Sequence, residues 1–238
     1  MVEYARVTLR MYDLCGADPT RRFSPYCWRT RLALAHKGLT VETIPWRFTD
    51  TAAIAAHGAQ KVPVLLDGDR VVIDSWVIAE YLEDTHPDRP SLFGGEGGRA
   101  LAKVLNGWAD ATMTAGIARL VVSDIPPLLA ATDREYFVAS REKRFGTPLA
   151  QVTADRETRV LAFRDALTPL RLVLRERPFL HGAAPAYADA IAFSGLQWAR
   201  CVSAFPLLAP DDPVHTWRER MLDAYGGIAR AAPAFAGA

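Results

Sequence analysis

The chain has 238 residues, half of them hydrophobic, with 28 basic against 27 acidic side chains. This length predicts one large domain or two modest ones, each able to bury its own core. A net charge of +1 without a long run of one sign argues against nucleic acid or an anionic membrane as a partner. We therefore expect a small-molecule substrate.

The three cysteines, Cys15, Cys27 and Cys201, are too few and too scattered for a disulfide framework. Their odd number leaves at least one thiol free, which favours a reducing compartment. The first residues carry charge where a signal peptide needs an apolar run, and no window is long and apolar enough to span a bilayer. These features predict a cytoplasmic protein without a membrane segment.

The first part of the chain alternates between strand-forming and helix-forming patterns. The predicted strands cover 6–14, 41–46, 62–66 and 70–73, and the predicted helices cover 24–38, 50–57 and 74–86. An Asp-Gly pair between the last two strands is typical of a tight hairpin. The order β-α-β-α-β-β-α predicts a small mixed sheet with helices packed on its faces.

Prolines and glycines crowd residues 87–98, which predicts a linker between two domains, 1–86 and 99–238. No strand pattern returns after it. The predicted helices of the second domain cover 99–122, 134–145, 152–177, 186–204 and 211–225. Short connections between them favour antiparallel neighbours in an all-helical bundle. The fold class is therefore α/β followed by all-α.

The helix over 24–38 has a chemically distinctive start. Ser24 is a good N-cap, and Pro25 suits the first helical position because that N–H would be unpaired anyway. Free N–H groups and the positive end of the helix dipole make such a start a site for an anion. The Ser24 hydroxyl can accept from the helix and donate its own proton outward. Ser24 is therefore either a plain cap or a group that stabilises a bound anion.

This order of elements resembles the soluble glutathione transferases, which have an N-terminal thioredoxin-like domain and a C-terminal helical bundle. The resemblance covers nearly the whole chain. Its most specific segments are 24–26 (Ser-Pro-Tyr), 61–65 (Lys-Val-Pro-Val-Leu) and 74–75 (Asp-Ser). It implies glutathione as co-substrate, a cis peptide bond before Pro63, and a homodimer. Within the family, the runs 24–30 and 74–82 resemble bacterial glutathione-dependent β-etherases, in which glutathione displaces a phenol from a β-aryl ether.

The resemblance also implies roles for individual residues. Ser24 would be catalytic, because a hydrogen bond to a charged acceptor gives roughly 1.5 to 3 kcal/mol and a helix start about 0.3 to 1. Lowering a thiol pKa by about two units requires about 2.7 kcal/mol, so we expect neither a catalytic histidine nor a metal. The implied glutathione contacts are Val62, Pro63, Asp74 and Ser75, with Gln60, Lys61, Trp46 and His57 as candidates for the glycine carboxylate. The implied electrophile pocket comprises Tyr12, Phe23, Trp108, Thr112 and Met113.

One position departs from the family pattern. A serine, threonine or asparagine usually stands three residues before the buried aspartate of the long core helix, but here Ala186 precedes Asp189. An alanine at the N-cap costs about 1 kcal/mol, so another group must compensate or the helix must start elsewhere.

The sequence predicts a glutathione transferase that acts on a small hydrophobic electrophile, with a β-aryl ether as the most specific candidate. Aromatic or halide conjugation and isomerisation of the maleylacetoacetate type are alternatives on the same fold. A non-catalytic binder of hydrophobic ligands, or a regulatory subunit, is an alternative of another class. A thiol transferase that uses Cys27 is a further enzymatic alternative.

Overall fold

A computed structural model describes residues 9–235 of the chain. The strands are β1 (Leu9–Leu14), β2 (Val41–Trp46), β3 (Val64–Asp67) and β4 (Arg70–Ile73). The helices are α1 (Pro25–His36), α2 (Thr51–Ala55), α3 (Ser75–Thr85), α4 (Glu96–Trp108), α5 (Ala115–Val121), α6 (Ala131–Phe145), α7 (Leu149–Val152), α8 (Arg156–Ala166), α9 (Thr168–Leu174), α10 (Tyr187–Val202) and α11 (Pro213–Gly227). The predicted fold class is confirmed. The part of the first predicted strand at 6–8 lies outside the described residues.

The four strands form one mixed sheet in the order β2-β1-β3-β4. β1 runs parallel to β2, from Leu9 opposite Val41 to Leu14 opposite Trp46. β3 is antiparallel to β1, and β4 returns beside β3 through the predicted hairpin. The central position of β1 leaves Met11 and Asp13 almost completely buried. The loop after β1 leads directly to the start of α1, so the sheet fixes that helix start.

Two long helical patterns of the second half are interrupted. The pattern over 99–122 is α4 and α5 joined by a π-helical turn at Ala109–Thr114. The pattern over 152–177 is divided among α7, α8 and α9, and Pro169 stands in the first turn of α9. Proline lacks the N–H that a continuous helix needs there, which explains the break before it. Among residues 9–235, no helix combines the length and hydropathy needed to cross a membrane.

The core helix α10 has nearly all of its residues buried and packs against α1. Its start at Ala186 has no side-chain cap. Asp189 compensates, since its carboxylate accepts from the backbone N–H of Leu180 at 2.7 Å, of His181 at 3.1 Å and of Ala186 at 3.2 Å. The Trp217 indole donates a fourth bond of 2.8 Å from α11. Four donors on one buried carboxylate thus anchor a helix start that has no N-cap side chain.

The segment between the two halves is attached to the N-terminal domain. Glu83 of α3 accepts from the backbone N–H of Leu92 at 2.9 Å and from the Ser91 hydroxyl. The same carboxylate pairs with the Lys37 ammonium at 2.6 Å, and the Lys37 side chain is only 1% exposed. Leu92 and Phe93 are buried. The predicted linker is thus ordered by a buried ion pair and two apolar anchors.

We predict that Glu83→Gln lowers the free energy of unfolding by about 2 to 4 kcal/mol at pH 7, because a buried ammonium loses its counter-charge. Burial raises the pKa of Glu83, but the bonds from Leu92, Lys37 and Ser91 outweigh it, and the net pKa lies below 4.5. A lowered pKa stabilises the fold above pH 4.5, and this contribution is lost as the pH falls through the folded-state pKa. Urea unfolding at several pH values should show the difference between wild type and variant shrinking below about pH 4.5. Glu80→Gln on the same helix is the control, and an equal effect there would contradict the assignment.

Candidate active site

Ser24 lies at the N-cap of α1, with Pro25 in the first helical turn. Its backbone is extended, and its hydroxyl oxygen accepts from the backbone N–H of Cys27 at 3.2 Å. The residue is 5% exposed, so the protein covers most of it. Because the oxygen is used as an acceptor from the helix, its own proton is available to donate. This geometry combines an N-cap with a hydrogen-bond donor at the positive end of a helix.

Cys27 lies one turn further along α1 and is fully buried. Burial raises the pKa of its thiol well above the ordinary value, and the Asp13 carboxylate raises it further. A hydrogen bond with the Ser24 hydroxyl acts in the opposite direction but is outweighed. Cys27 is therefore a neutral thiol at neutral pH. A charged acceptor would compete well with it for the Ser24 proton, since such bonds are roughly twice as strong.

A second helix start lies beside the first. Asp74 caps α3 in a left-handed conformation, with φ of 82°. Its Oδ1 accepts from the backbone N–H of Trp76 at 2.8 Å and of Val77 at 3.2 Å. Ser75 is buried, and its carbonyl accepts from the Tyr187 hydroxyl of α10 at 2.9 Å. The α3 start is therefore tied to the helical domain while the Asp74 side chain stays exposed.

The peptide bond between Val62 and Pro63 is cis. The Pro63 carbonyl accepts from the Asp74 backbone N–H at 3.4 Å, which joins this turn to the α3 start. Val62 is half-buried, whereas Gln60 and Lys61 are exposed. Val62, Pro63, Asp74 and Ser75 thus lie together at one edge of the sheet.

Two candidates for the glycine carboxylate of glutathione have polar contacts within the protein. The buried Trp46 donates its indole N–H to the Asp50 carbonyl at 2.8 Å. The His57 Nε2 lies 3.4 Å from the Tyr12 hydroxyl, which leaves Nδ1 of this half-buried ring for another contact. The Trp46 donor is thus occupied, whereas Gln60 and Lys61 are exposed.

The residues expected around the electrophile lie in different parts of the structure. Tyr12 contacts His57, and Phe23 is buried with its ring 6.3 Å from that of Phe48. Thr112 and Met113 belong to the π-helical turn, where Met113 is buried in the core and Thr112 is half-buried. Trp108 lines a cavity of about 540 Å³ between α4 and α9, and Ser24 is not among its lining residues. Of the five residues, Trp108 alone lines this cavity.

Arg29, which was not singled out from sequence as a site residue, has a side chain that is only 1% exposed. Its guanidinium donates to Asn106 at 2.8 Å, to Asp110 at 2.7 Å and to Ser194 at 3.3 Å. These partners lie on α4, the π-helical turn and α10. Arg29 therefore joins α1 to the helical domain. The signal in the sequence is its position three residues before Leu32, a spacing that puts both side chains on the same face of the helix.

Tyr26 was not singled out from sequence as a site residue, yet it lies two positions after Ser24 and is 37% exposed. The Arg29 guanidinium lies 5.0 Å from the centre of its ring. Burial raises the pKa of Tyr26, and the Asp110 carboxylate raises it further, while Arg29 and Arg144 lower it. The Tyr26 hydroxyl is thus influenced by charges on α1, the π-helical turn and α6.

Comparison with known proteins decides the family. A model of the glutathione S-transferase N-terminal domain matches residues 19–90, and one of the glutathione S-transferase C-terminal domain matches residues 100–205. The chain belongs to the glutathione S-transferase superfamily. A probable glutathione S-transferase GSTU6 of Oryza sativa subsp. japonica is 27% identical over 215 residues, which cover 86% of this chain and 84% of the rice protein.

Other relatives share shorter segments. The glutathione S-transferase-like protein ustS of Aspergillus flavus is 32% identical over 139 residues, which span 54% of this chain and only half, 50%, of the fungal protein.

A glutathione S-transferase of Ceriporiopsis subvermispora, solved with glutathione, has the same fold, with a TM-score of 0.78 at 22% identity over 92% of this chain and 96% of that one. The transferase GSTFuA3 of Phanerochaete chrysosporium gives 0.74 at 27% identity over 94% and 93%.

We predict that Arg29→Met lowers the free energy of unfolding by about 2 to 4 kcal/mol, because three buried hydrogen bonds across the domain contact are lost. Asp110→Asn should cost less, about 1 kcal/mol, since the Asp110 side chain is 36% exposed and water screens the pair. Urea unfolding measures both values. Arg10→Met, at an exposed position of β1, is the control, and equal losses at positions 10 and 29 would contradict the role of Arg29.

Proposed function

We propose that the protein is a glutathione transferase in which the Ser24 hydroxyl donates a hydrogen bond to the thiolate of glutathione. The observation that carries the proposal is the position of Ser24 at the N-cap of α1, where its oxygen accepts from Cys27 and its proton is available. One hydrogen bond to a charged acceptor and one helix start together supply about 2 to 4 kcal/mol. That is enough to keep most of a thiol ionised at neutral pH, which requires about 2.7 kcal/mol.

The second helix start supports an orientation for the tripeptide. Asp74 uses Oδ1 as a cap, and its Oδ2 has no partner within residues 9–235, so it is suited to the α-ammonium of the γ-glutamyl residue. The N-terminal amides of α3 suit the adjacent carboxylate. The backbone of Val62, beside the cis bond, is placed to pair with the cysteinyl residue, and Gln60 and Lys61 are the candidates for the glycine carboxylate.

In the proposed reaction the thiolate attacks an electrophilic carbon of a small hydrophobic substrate. For a β-aryl ether, a carbon–sulfur bond forms at the β-carbon while the carbon–oxygen bond breaks, and the phenolate leaves with the electron pair. The runs 24–30 and 74–82 support this substrate class through their resemblance to the β-etherases. The electrophile would lie beside Ser24 and Tyr26.

The structure gives little support to a thiol transferase that depends on Cys27. A nucleophilic cysteine needs an accessible thiolate, whereas Cys27 is fully buried and its pKa is raised chiefly by burial. Ser24 lies at the start of the same helix and is 5% exposed. The serine-dependent reaction is therefore the better hypothesis.

A homodimer is part of the proposal. Leu101 and Val104 project from α4 with 73% and 71% of their surface exposed, and they line the apolar cavity between α4 and α9. Val71 on β4 and Val77 on α3 are further exposed apolar residues, of the N-terminal domain. One molecule thus offers both an apolar cavity and projecting apolar side chains, which a second copy of the chain would cover.

We predict that Ser24→Ala reduces kcat/KM for glutathione and 1-chloro-2,4-dinitrobenzene by about tenfold to a hundredfold, with glutathione affinity retained. The free energy of unfolding should fall by about 1 kcal/mol from loss of the cap. Spectrophotometric turnover and calorimetric glutathione binding measure the two effects. Cys27→Ala is the control and should keep its turnover. Loss of turnover in Cys27→Ala with full activity in Ser24→Ala would favour the thiol transferase instead, and glutathione binding without turnover of any electrophile would favour the non-catalytic binder.

We predict that Leu101→Glu combined with Val104→Glu converts the dimer to a monomer, because two charges would be buried in the contact. Sedimentation equilibrium measures the oligomeric state. Leu161→Glu is the control, since Leu161 is 58% exposed on α8 and does not line the cavity. A monomeric wild type, or a dimer unaffected by the double change, would contradict this interface.

A further inference from the structure

The helix α6 is fixed over the N-terminal domain by a buried carboxylate. Asp133, in its first turn, is 2% exposed and accepts from the backbone N–H of Thr49 at 2.9 Å and from its hydroxyl at 2.7 Å. Thr49 lies in the loop between β2 and α2. Because both bonds go to one loop residue, α6 has a defined position beside that loop.

An aromatic cluster extends from this contact to the residue before Ser24. Phe48 is its centre, and the centroid of its ring lies 5.5 Å from that of Phe137 and 6.2 Å from that of Tyr136, both on α6. The Phe23 ring is 6.3 Å away on the other side. Since Phe23 immediately precedes Ser24, this aromatic wall links the residue next to Ser24 to α6. Phe23 and Phe137 are buried, whereas Phe48 is half-buried and Tyr136 is 49% exposed, so the last two are the rings that a ligand could reach.

Arg141 of α6 lies on this wall. The carbon of its guanidinium is 4.7 Å from the Phe137 ring centre and 5.4 Å from that of Phe48. The side chain is half-buried, and burial lowers the pKa of Arg141. It makes one side-chain hydrogen bond, of 2.9 Å to the Ser140 hydroxyl, and pairs with no carboxylate of residues 9–235. Four of its five N–H donors thus have no protein acceptor in that part of the chain.

Arg200 offers a contrast. Burial lowers the pKa of Arg200 too, but its guanidinium donates to three backbone carbonyls, those of Ala229, Ala232 and Arg230, at 3.0 to 3.1 Å. Among the described residues, no Arg141 nitrogen is a buried atom without a partner, so its free donors reach solvent. A carboxylate from outside can therefore reach and bind these donors.

A second guanidinium lies near Arg141 on α6. Arg144 follows Arg141 by three residues, so the two side chains lie on the same side of the helix. The Arg144 charge also lowers the pKa of Tyr26 on α1. This side of α6 therefore combines aromatic rings with two positive charges.

We propose that the electrophile is an aromatic compound that carries an acidic group, with its ring against the Phe48 cluster and its carboxylate bound by Arg141. This inference rests on the proposed function, in which Ser24 supplies the thiolate. The planar guanidinium fork matches a carboxylate through two parallel hydrogen bonds, and the rings beneath it suit an aromatic body. Arg141 is then a specificity-determining residue, and Arg144 adds a second positive charge on the same side of α6.

The test uses 4-chloro-3-nitrobenzoate and its methyl ester, two electrophiles with the same ring and leaving group but different charge. In both, the glutathione sulfur bonds to the ring carbon, chloride leaves with the carbon–chlorine electron pair, and the thiol proton passes to solvent. Arg141→Met should lower kcat/KM for the acid, relative to the ester, by at least tenfold, and Arg141→Lys by less. Lys143→Met removes one charge from an exposed position on the opposite side of α6. It should change the ratio of kcat/KM for the acid to kcat/KM for the ester by less than twofold.

Calorimetric binding of the two glutathione conjugates of these compounds gives a readout that does not require turnover. A tighter acid conjugate, with the preference lost in Arg141→Met, supports the anion site even if no electrophile is converted, in which case the proposed function fails alone. Conversion of the ester with an unchanged ratio in Arg141→Met overturns the anion site and leaves the transferase intact. Equal losses for acid and ester, with a lower melting temperature, would assign Arg141 to packing only and also overturn it.

Discussion

The structure depends on a buried cation that needs three acceptors. Arg29 satisfies its guanidinium with Asn106, Asp110 and Ser194, which come from three different parts of the helical domain. An arginine this deeply buried is stable only when its donors are paired. The pairing fixes α1 against the second domain, and with it the positions of Ser24 and Tyr26. The position of the α1 start therefore follows from a contact between the middle of α1 and the helical domain.

The features that could be predicted from sequence are those encoded locally. The bounds of β2 and β4 match the prediction, as does the cap at Ser24, because turns, caps and alternating patterns act over a few residues. The cis bond before Pro63 agrees with what the family resemblance implied. Local chemistry and family pattern thus account for most of the N-terminal domain.

The features that could not be predicted depend on long-range packing. One exception is the pattern over 152–177, whose break before Pro169 follows from a local signal, the missing N–H of proline. The burial of Arg29 and the contact of Phe48 with α6 join residues far apart in the chain, and periodicity carries no information about such partners. The sequence predicted that another group must compensate for Ala186. It could not show that Trp217 takes part, because Trp217 lies 28 residues from Asp189 along the chain.

The Asp189 carboxylate has a consequence for how the helical domain gains order. It binds Leu180 and His181 in one loop, Ala186 at the start of α10, and Trp217 on α11. If the loop frays, two of those donors lose their acceptor together, and if α11 detaches, the carboxylate loses its indole neighbour. These segments are therefore thermodynamically coupled, and we expect them to exchange their amide protons as one cooperative unit rather than piece by piece.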